Sequence, residues 1–136
     1  MTDDAGTPLG GGDSPFAQFL GFEPGEITAE QSASRLVTQL HHLNPMGAIH
    51  GGALISLADN VATRMANIAQ TGGPNDGKFM SGIDLHATFL SNQQGGTVVA
   101  TARVVRAGRR VTVIRTQVTG ENDKLLLELT TTHIPT

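Results

Sequence analysis

Residues 41–67 read HHLNPMGAIHGGALISLADNVATRMAN, and the reading of this stretch decides the fold. Its first part is too rich in turn formers for regular structure, with Asn44-Pro45 and Gly47 punctuating it. From Gly51 or Gly52 onward the chain becomes an Ala/Leu/Ile/Met-rich run with no proline and little charge. Leu54, Ala58, Val61, Met65 and Ile68 recur at helical spacing, as do Ile55, Ala62, Ala66 and Ala69. A helix apolar over so much of its circumference has to be wrapped by other structure. Ser56, Asp59, Asn60, Thr63 and Asn67 interrupt it along one narrow stripe. Asp59 is its only acid, and a carboxylate on a mostly buried helix needs a partner or a task.

The start of this helix is as informative as the acid. No Ser, Thr or Asp stands immediately before Gly51, so the first N–H groups have no evident side-chain acceptor. Gly51 and Gly52 leave the backbone bare, which lets a ligand atom approach closely. Free amides at the positive end of a helix dipole make a socket for a carbonyl oxygen that gains negative charge. Asp59 lies eight positions beyond Gly51, about 12 Å along the axis, far outside hydrogen-bond reach. Two antiparallel copies side by side close that gap, each acid facing the other chain's socket. The expectation is a dimer with two composite sites.

Outward from this helix, the alternation changes to a period of two. Phe22 to Leu40 reads as two strands with a bend near Ala29 to Ser32, with Leu36, Thr38 and Leu40 on one face. Thr71–Gly77 is a loop, and Ser81, Ile83, Leu85, Ala87 and Phe89 then alternate with Asp84, His86 and Thr88. Residues 97–106, 110–119 and 124–134 follow as strands, separated by hairpin-length, turn-rich segments. One long helix plus an antiparallel meander predicts an α+β fold, with the helix on the concave face of a curved sheet of five to six strands. Ahead of it, Ser14-Pro15 predicts a capped short helix over Phe16 to Leu20, ended by Gly21. Phe16, Phe19 and Leu20 are expected to pack on the sheet. Residues 1–13 read as a disordered tail, and 14–136 as a single domain.

At 136 residues the chain allows one domain with its own core. A formal charge of −3 argues against a nucleic-acid surface. With no cysteine there is no disulfide, no thiolate zinc site and no cysteine nucleophile. No apolar run approaches membrane-spanning length and the first residues are acidic, so no membrane association is expected and the cytosol is the expected compartment.

Asn44-Pro-Met-Gly47-Ala-Ile-His50-Gly51-Gly52 followed by Leu57-Ala58-Asp59-Asn60 resembles the signature of the hotdog-fold acyl-CoA thioesterases, in particular the phenylacetyl-CoA thioesterase-like branch. The likeness in layout covers about four fifths of the chain. It implies hydrolysis of a coenzyme A thioester without a cofactor, in a homodimer that pairs into a tetramer. It makes Asp59 the nucleophile or general base. Gly51 N–H, backed by Gly52, Asn44 and His50, would polarise the carbonyl. A hydroxyl one turn after the acid helps hold water in some relatives, and Thr63 fits that place. Others use a serine at the start of the next strand, where Gly82 stands in register and Ser81 one residue away. Arg106, Arg109 and Arg110 flank a hairpin turn where relatives carry a basic residue for coenzyme A phosphates.

Each candidate has a plainer reading. Asn44 is also an ordinary turn residue before proline, His50 is also a loop-fixing residue, and the arginines are also a solvated corner. His41, His42 and His50 lack a neighbouring carboxylate in sequence, so no metal is expected. Rival functions are an enoyl thioester hydratase, a non-catalytic acyl-CoA binding protein, and a thioesterase for acyl-carrier-protein thioesters. The hydratase pattern places an Asp and a His where this chain has His42 and Gly47.

Overall fold

The computed structural model describes residues 14–136, so the tail expected over 1–13 lies outside the described residues. Helix α1 (Pro15–Leu20) forms as its caps dictate. Ser14 Oγ accepts from Ala17 N–H at 3.0 Å, Pro15 opens the first turn, and Gly21 closes the helix at a φ of 80°. Its packing differs from expectation. Only Ala17 is buried and Leu20 half-buried, while Phe16 and Phe19 are 58% and 83% exposed. Six residues make fewer than two turns, and the aromatic positions fall on the side away from the sheet.

Strands β1 (Glu23–Ile27) and β2 (Gln31–Val37) pair antiparallel about the expected bend. Strand β2 stops at Val37, and Leu40 begins a short 3₁₀ turn with its side chain 86% exposed, so it does not share the buried face of Leu36. Helix α2 (Gly51–Ala69) follows, then β3 (Met80–Phe89), β4 (Thr97–Ala107), β5 (Thr112–Thr119) and β6 (Leu125–Pro135). The six strands make one antiparallel sheet in the order β1-β2-β4-β5-β6-β3, and α2 packs across it. This is the α+β hotdog arrangement, with the helix wrapped by a curved sheet.

Register explains the core. Ser34, Ala100, Val118, Leu127 and Phe89 stand side by side across the sheet, and Ser32, Ala102, Thr116, Leu129 and Ala87 form the next row. These rows face α2, whose Leu54, Leu57, Ala58, Val61, Ala62, Met65 and Ala66 are buried against them. A bulge at Ile83 breaks the simple alternation of β3. It puts Gly82, not Ser81, opposite His133 on the helix-facing side, and Ser81 Oγ lies 3.2 Å from Thr136 Oγ1 instead. Ser81 therefore does not share a face with Leu85, Ala87 and Phe89 as the alternation had predicted.

Candidate active site

Residues 43–50 form a tight loop that delivers the chain to the start of α2. Leu43 and Ile49 bridge its base, Asn44 N–H donates to Ala48 O, and Gly47 turns at a φ of 81°. Asn44 is the organiser: its Oδ1 accepts from Met46 N–H at 2.9 Å and Ala48 N–H at 3.1 Å. Its Nδ2 meets no acceptor among the described residues and is left as a donor. Asn92 Nδ2 fixes the far side of the loop by donating to Ile49 O at 2.8 Å.

The helix start is not bare, contrary to the sequence reading. His50 caps it, with Nδ1 accepting from Gly52 N–H at 2.8 Å. An accepting Nδ1 puts the proton on Nε2, so the exposed side of this ring is a donor. Gly51 N–H meets no acceptor among the described residues. The ring of Phe89 packs over Gly51 so closely that a Cβ there would stand 3.0 Å from Cε1 and Cζ. Glycine at 51 thus serves a close approach by Phe89 as well as an open amide.

Asp59 lies half-buried on α2 with no hydrogen bond or ion pair among the described residues. Burial without a partner pushes its carboxyl above the usual range. Thr63, one turn on, is also half-buried, and its carbonyl accepts from Asn67 Nδ2 at 2.8 Å. Asn67 also clasps Met80, donating to its carbonyl at 3.3 Å and accepting from its N–H at 2.9 Å. With Phe89 over Gly51 and Met80 beside Asn67, β3 runs antiparallel along α2. Leu85 and Phe89 on its helix-facing side stay exposed, with half-buried Ala87 between them. Exposed apolar side chains of β3 therefore run alongside α2.

Arg106, Arg109 and Arg110 are exposed at the β4–β5 hairpin and meet no acidic partner among the described residues. The hairpin tip is held in place, with Gln70 Nε2 donating to Gly108 O at 3.1 Å and Asn75 Nδ2 donating to Arg109 O. The single chain thus brings Asn44, His50, Gly51 and Gly52 together at one end of α2, and Asp59 with Thr63 further along. It does not bring Asp59 to Gly51. Among the described residues no three of His, Asp and Glu come together as metal ligands. Nor is any helix among them long and apolar enough to cross a membrane. A groove of about 460 Å³ lined by Thr101, Arg103, Val105, Arg115 and Gln117 lies on the sheet face away from α2.

Two features escaped the sequence reading. Arg64 interrupts the apolar helix, its guanidinium donating to Ser34 Oγ at 3.1 Å and to Ser32 Oγ and Ala33 O at 3.4 Å. Its place in the window was visible; what it bonds to depends on β2 arriving beside it. The other is His133, fully buried on β6 with Nε2 2.8 Å from Thr131 Oγ1.

The family and the relatives that this fold matches are thioester hydrolases. The thioesterase superfamily model matches residues 46–127, more than half of the chain, and the protein belongs to that family. A 1,4-dihydroxy-2-naphthoyl-CoA hydrolase of Listeria monocytogenes is 29% identical over 109 residues, spanning 80% of this chain and 81% of that protein. Human acyl-coenzyme A thioesterase 13 is 28% identical over 87 residues, 63% of this chain and 55% of that one. Among solved structures, a phenylacetic acid degradation-related protein of Ralstonia eutropha JMP134 superposes with a TM-score of 0.80 at 27% identity, covering 92% of this chain and 93% of that one. The E. coli PaaI protein from the phenylacetic acid degradation operon gives 0.81 at 21% identity, over 90% and 85% of the two chains. The chain is thus a hotdog-fold member of the thioesterase superfamily.

Proposed function

We propose that the protein hydrolyses acyl-coenzyme A thioesters at composite sites in a homodimer, each using Asp59 of one chain and the Gly51 amide of the other. The observation that carries this reading is Asp59 itself: a half-buried carboxylate without a partner among the described residues, on the helix along which β3 carries exposed Leu85 and Phe89. The distance along α2 supports the two-chain site, and so does the edge of the sheet. Among the described residues strand β3 pairs with β6 alone, leaving a ten-residue edge that carries exposed Ile83, Leu85 and Phe89. A long apolar edge of that kind calls for a covering partner.

The acyl group lies along the exposed apolar side chains of β3, and its carbonyl oxygen accepts from Gly51 N–H, with His50 Nε2–H and Asn44 Nδ2 as further donors. Asp59 takes a proton from water near Thr63, and the water oxygen attacks the thioester carbon. Burial raises its basicity toward the working pH, which suits a general base. The tetrahedral intermediate collapses, the C–S bond breaks, and the thiolate leaves as a good leaving group. The proton on Asp59 passes to the sulfur or to solvent. The arginine corner holds the phosphates of coenzyme A, guanidinium to phosphate oxygen. Acyl-carrier-protein thioesters would use the same corner, and side-by-side assays on the two carriers separate them.

The test is thiol release from acyl-CoA by Asp59→Asn. Turnover should fall by roughly two to four orders of magnitude with the fold intact. Near-normal turnover in a folded variant overturns the assignment.

A further inference from the structure

Asn92 lies half-buried in the β3–β4 connection, a turn-rich segment where asparagine is an ordinary turn former. One arm of its amide does that work, Oδ1 accepting from Gln93 N–H at 2.8 Å. This fixes which way the amide faces and commits Nδ2 to a different task. Nδ2 donates at 2.8 Å to Ile49 O, just ahead of α2. Lys124 Nζ steadies the backbone of Asn92, 3.1 Å from its carbonyl oxygen. Gln94, with its amide nitrogen facing the turn, donates to Met46 O at 3.2 Å and Gly47 O at 3.3 Å. The connection therefore grips the 43–50 loop at its base and at its tip.

The grip at the base bears on the site. Ile49 is fully buried, so no water stands in for a lost donor at its carbonyl. The peptide joining it to His50 is held on both sides. Asn92 takes the oxygen, and His50 N–H donates to His42 O at 2.8 Å. Ile49 N–H is tied to the same connection, donating to Gln93 O at 3.2 Å. A peptide unit is rigid, so only the two rotations at His50 separate this plane from the unit carrying Gly51 N–H. Those rotations stand at φ −61° and ψ 131°, and the ring of His50 turns back onto Gly52 N–H. Both Gly51 N–H and His50 Nε2–H thus take their aim from the plane that Asn92 holds.

We propose that Asn92 is a positioning residue for the thioester carbonyl, acting through Ile49 O on the peptide that leads into α2. A donor stabilises a developing oxyanion when it already points at it, and a loosened peptide spreads that direction. The inference rests on the thioesterase reading for its consequence, though not for the clamp itself.

Asn92→Asp tests it. The side chain keeps its shape and its acceptor for Gln93 N–H, but sets an oxygen against Ile49 O where the donor stood. On butyryl- or phenylacetyl-CoA, kcat should fall tenfold or more while KM stays within about twofold. S-trifluoroacetonyl-CoA, whose hydrated ketone mimics a tetrahedral oxyanion, should bind tenfold or more weakly, with the affinity for free CoA unchanged. An affinity ratio is blind to an unfolded fraction, which is what a merely structural role would produce. Equal affinities for the ketone in parent and variant overturn the proposal. Asn92→Ala drops the donor without adding a charge, and gives the same comparisons if the charged variant does not fold. A second readout needs no turnover: amide exchange at His50 should quicken tenfold or more relative to Ala62 in the middle of α2. Unchanged protection at His50 overturns the clamp and the proposal with it. A parent protein that cleaves no thioester defeats the hydrolase reading alone, since exchange at His50 still decides the clamp.

Discussion

Asp59 carries opposite consequences for chemistry and for stability. Its folded-state carboxyl holds a proton more tightly than the unfolded one, because burial penalises the charge. The stability it contributes is therefore full below its ordinary pKa of 3.8 and is lost as pH rises through the raised value. At neutral pH the ionised acid is a burden that an amide lacks. Asp59→Asn should consequently melt higher than the parent at pH 7 in differential scanning calorimetry, with the difference shrinking as pH falls toward 3.8. A lower melting point at pH 7 would contradict the unpartnered burial described here. The positions of Asp59 and Gly51 on α2 were legible in the sequence because helical spacing alone gives them. The cap from His50 was not, because histidine is not a usual capping residue and its role depends on how the ring turns back over Gly52.

At the scale of elements, α1 is tied to the body through one buried ring. Gln39 N–H donates to His42 Nδ1 at 2.8 Å, and Nε2–H reaches Leu20 O at 2.7 Å. That arrangement requires the neutral imidazole. Burial lowers its pKa, against the opposing pull of the Leu20 carbonyl and with help from neighbouring His41. The stability from His42 is thus full above its ordinary value of 6.5 and is lost as pH falls through the lowered one. Hydrogen exchange across residues 15–21, corrected for intrinsic rate, should be faster at about pH 5 than at pH 7, and His42→Ala should flatten that difference. The helices and strands were readable from caps and periodicity: Ser14-Pro15, Gly21 and the two-residue alternation each force a local outcome. The bulge at Ile83 was not readable, since inserting one residue leaves the alternation intact on either side and only shifts its phase. Leu40 misled for the converse reason, continuing a strand pattern past the point where β2 has lost its partner.

For the whole molecule, the decisive expectation concerns two chains rather than one. With Asp59 and Asn44 in different subunits of each site, Asp59→Asn and Asn44→Ala chains should each be impaired alone. Refolded together, half of the dimers are mixed and each mixed dimer holds one intact site, so about a quarter of parental activity should return by two-fold symmetry. No recovery in mixtures verified as heterodimeric would place both groups in one chain and sink the composite site.

The clasp of Gln70 and Asn75 on the β4–β5 hairpin has a mechanical consequence. It bolts the cationic corner to the very rod that bears the acid, so on the proposed coenzyme A binding, docking the distant nucleotide end need not rearrange the reacting end. Grip and chemistry are then separable. A pantetheine thioester stripped of its nucleotide should raise KM while leaving kcat nearly untouched, as steady-state kinetics on the two thioesters will reveal.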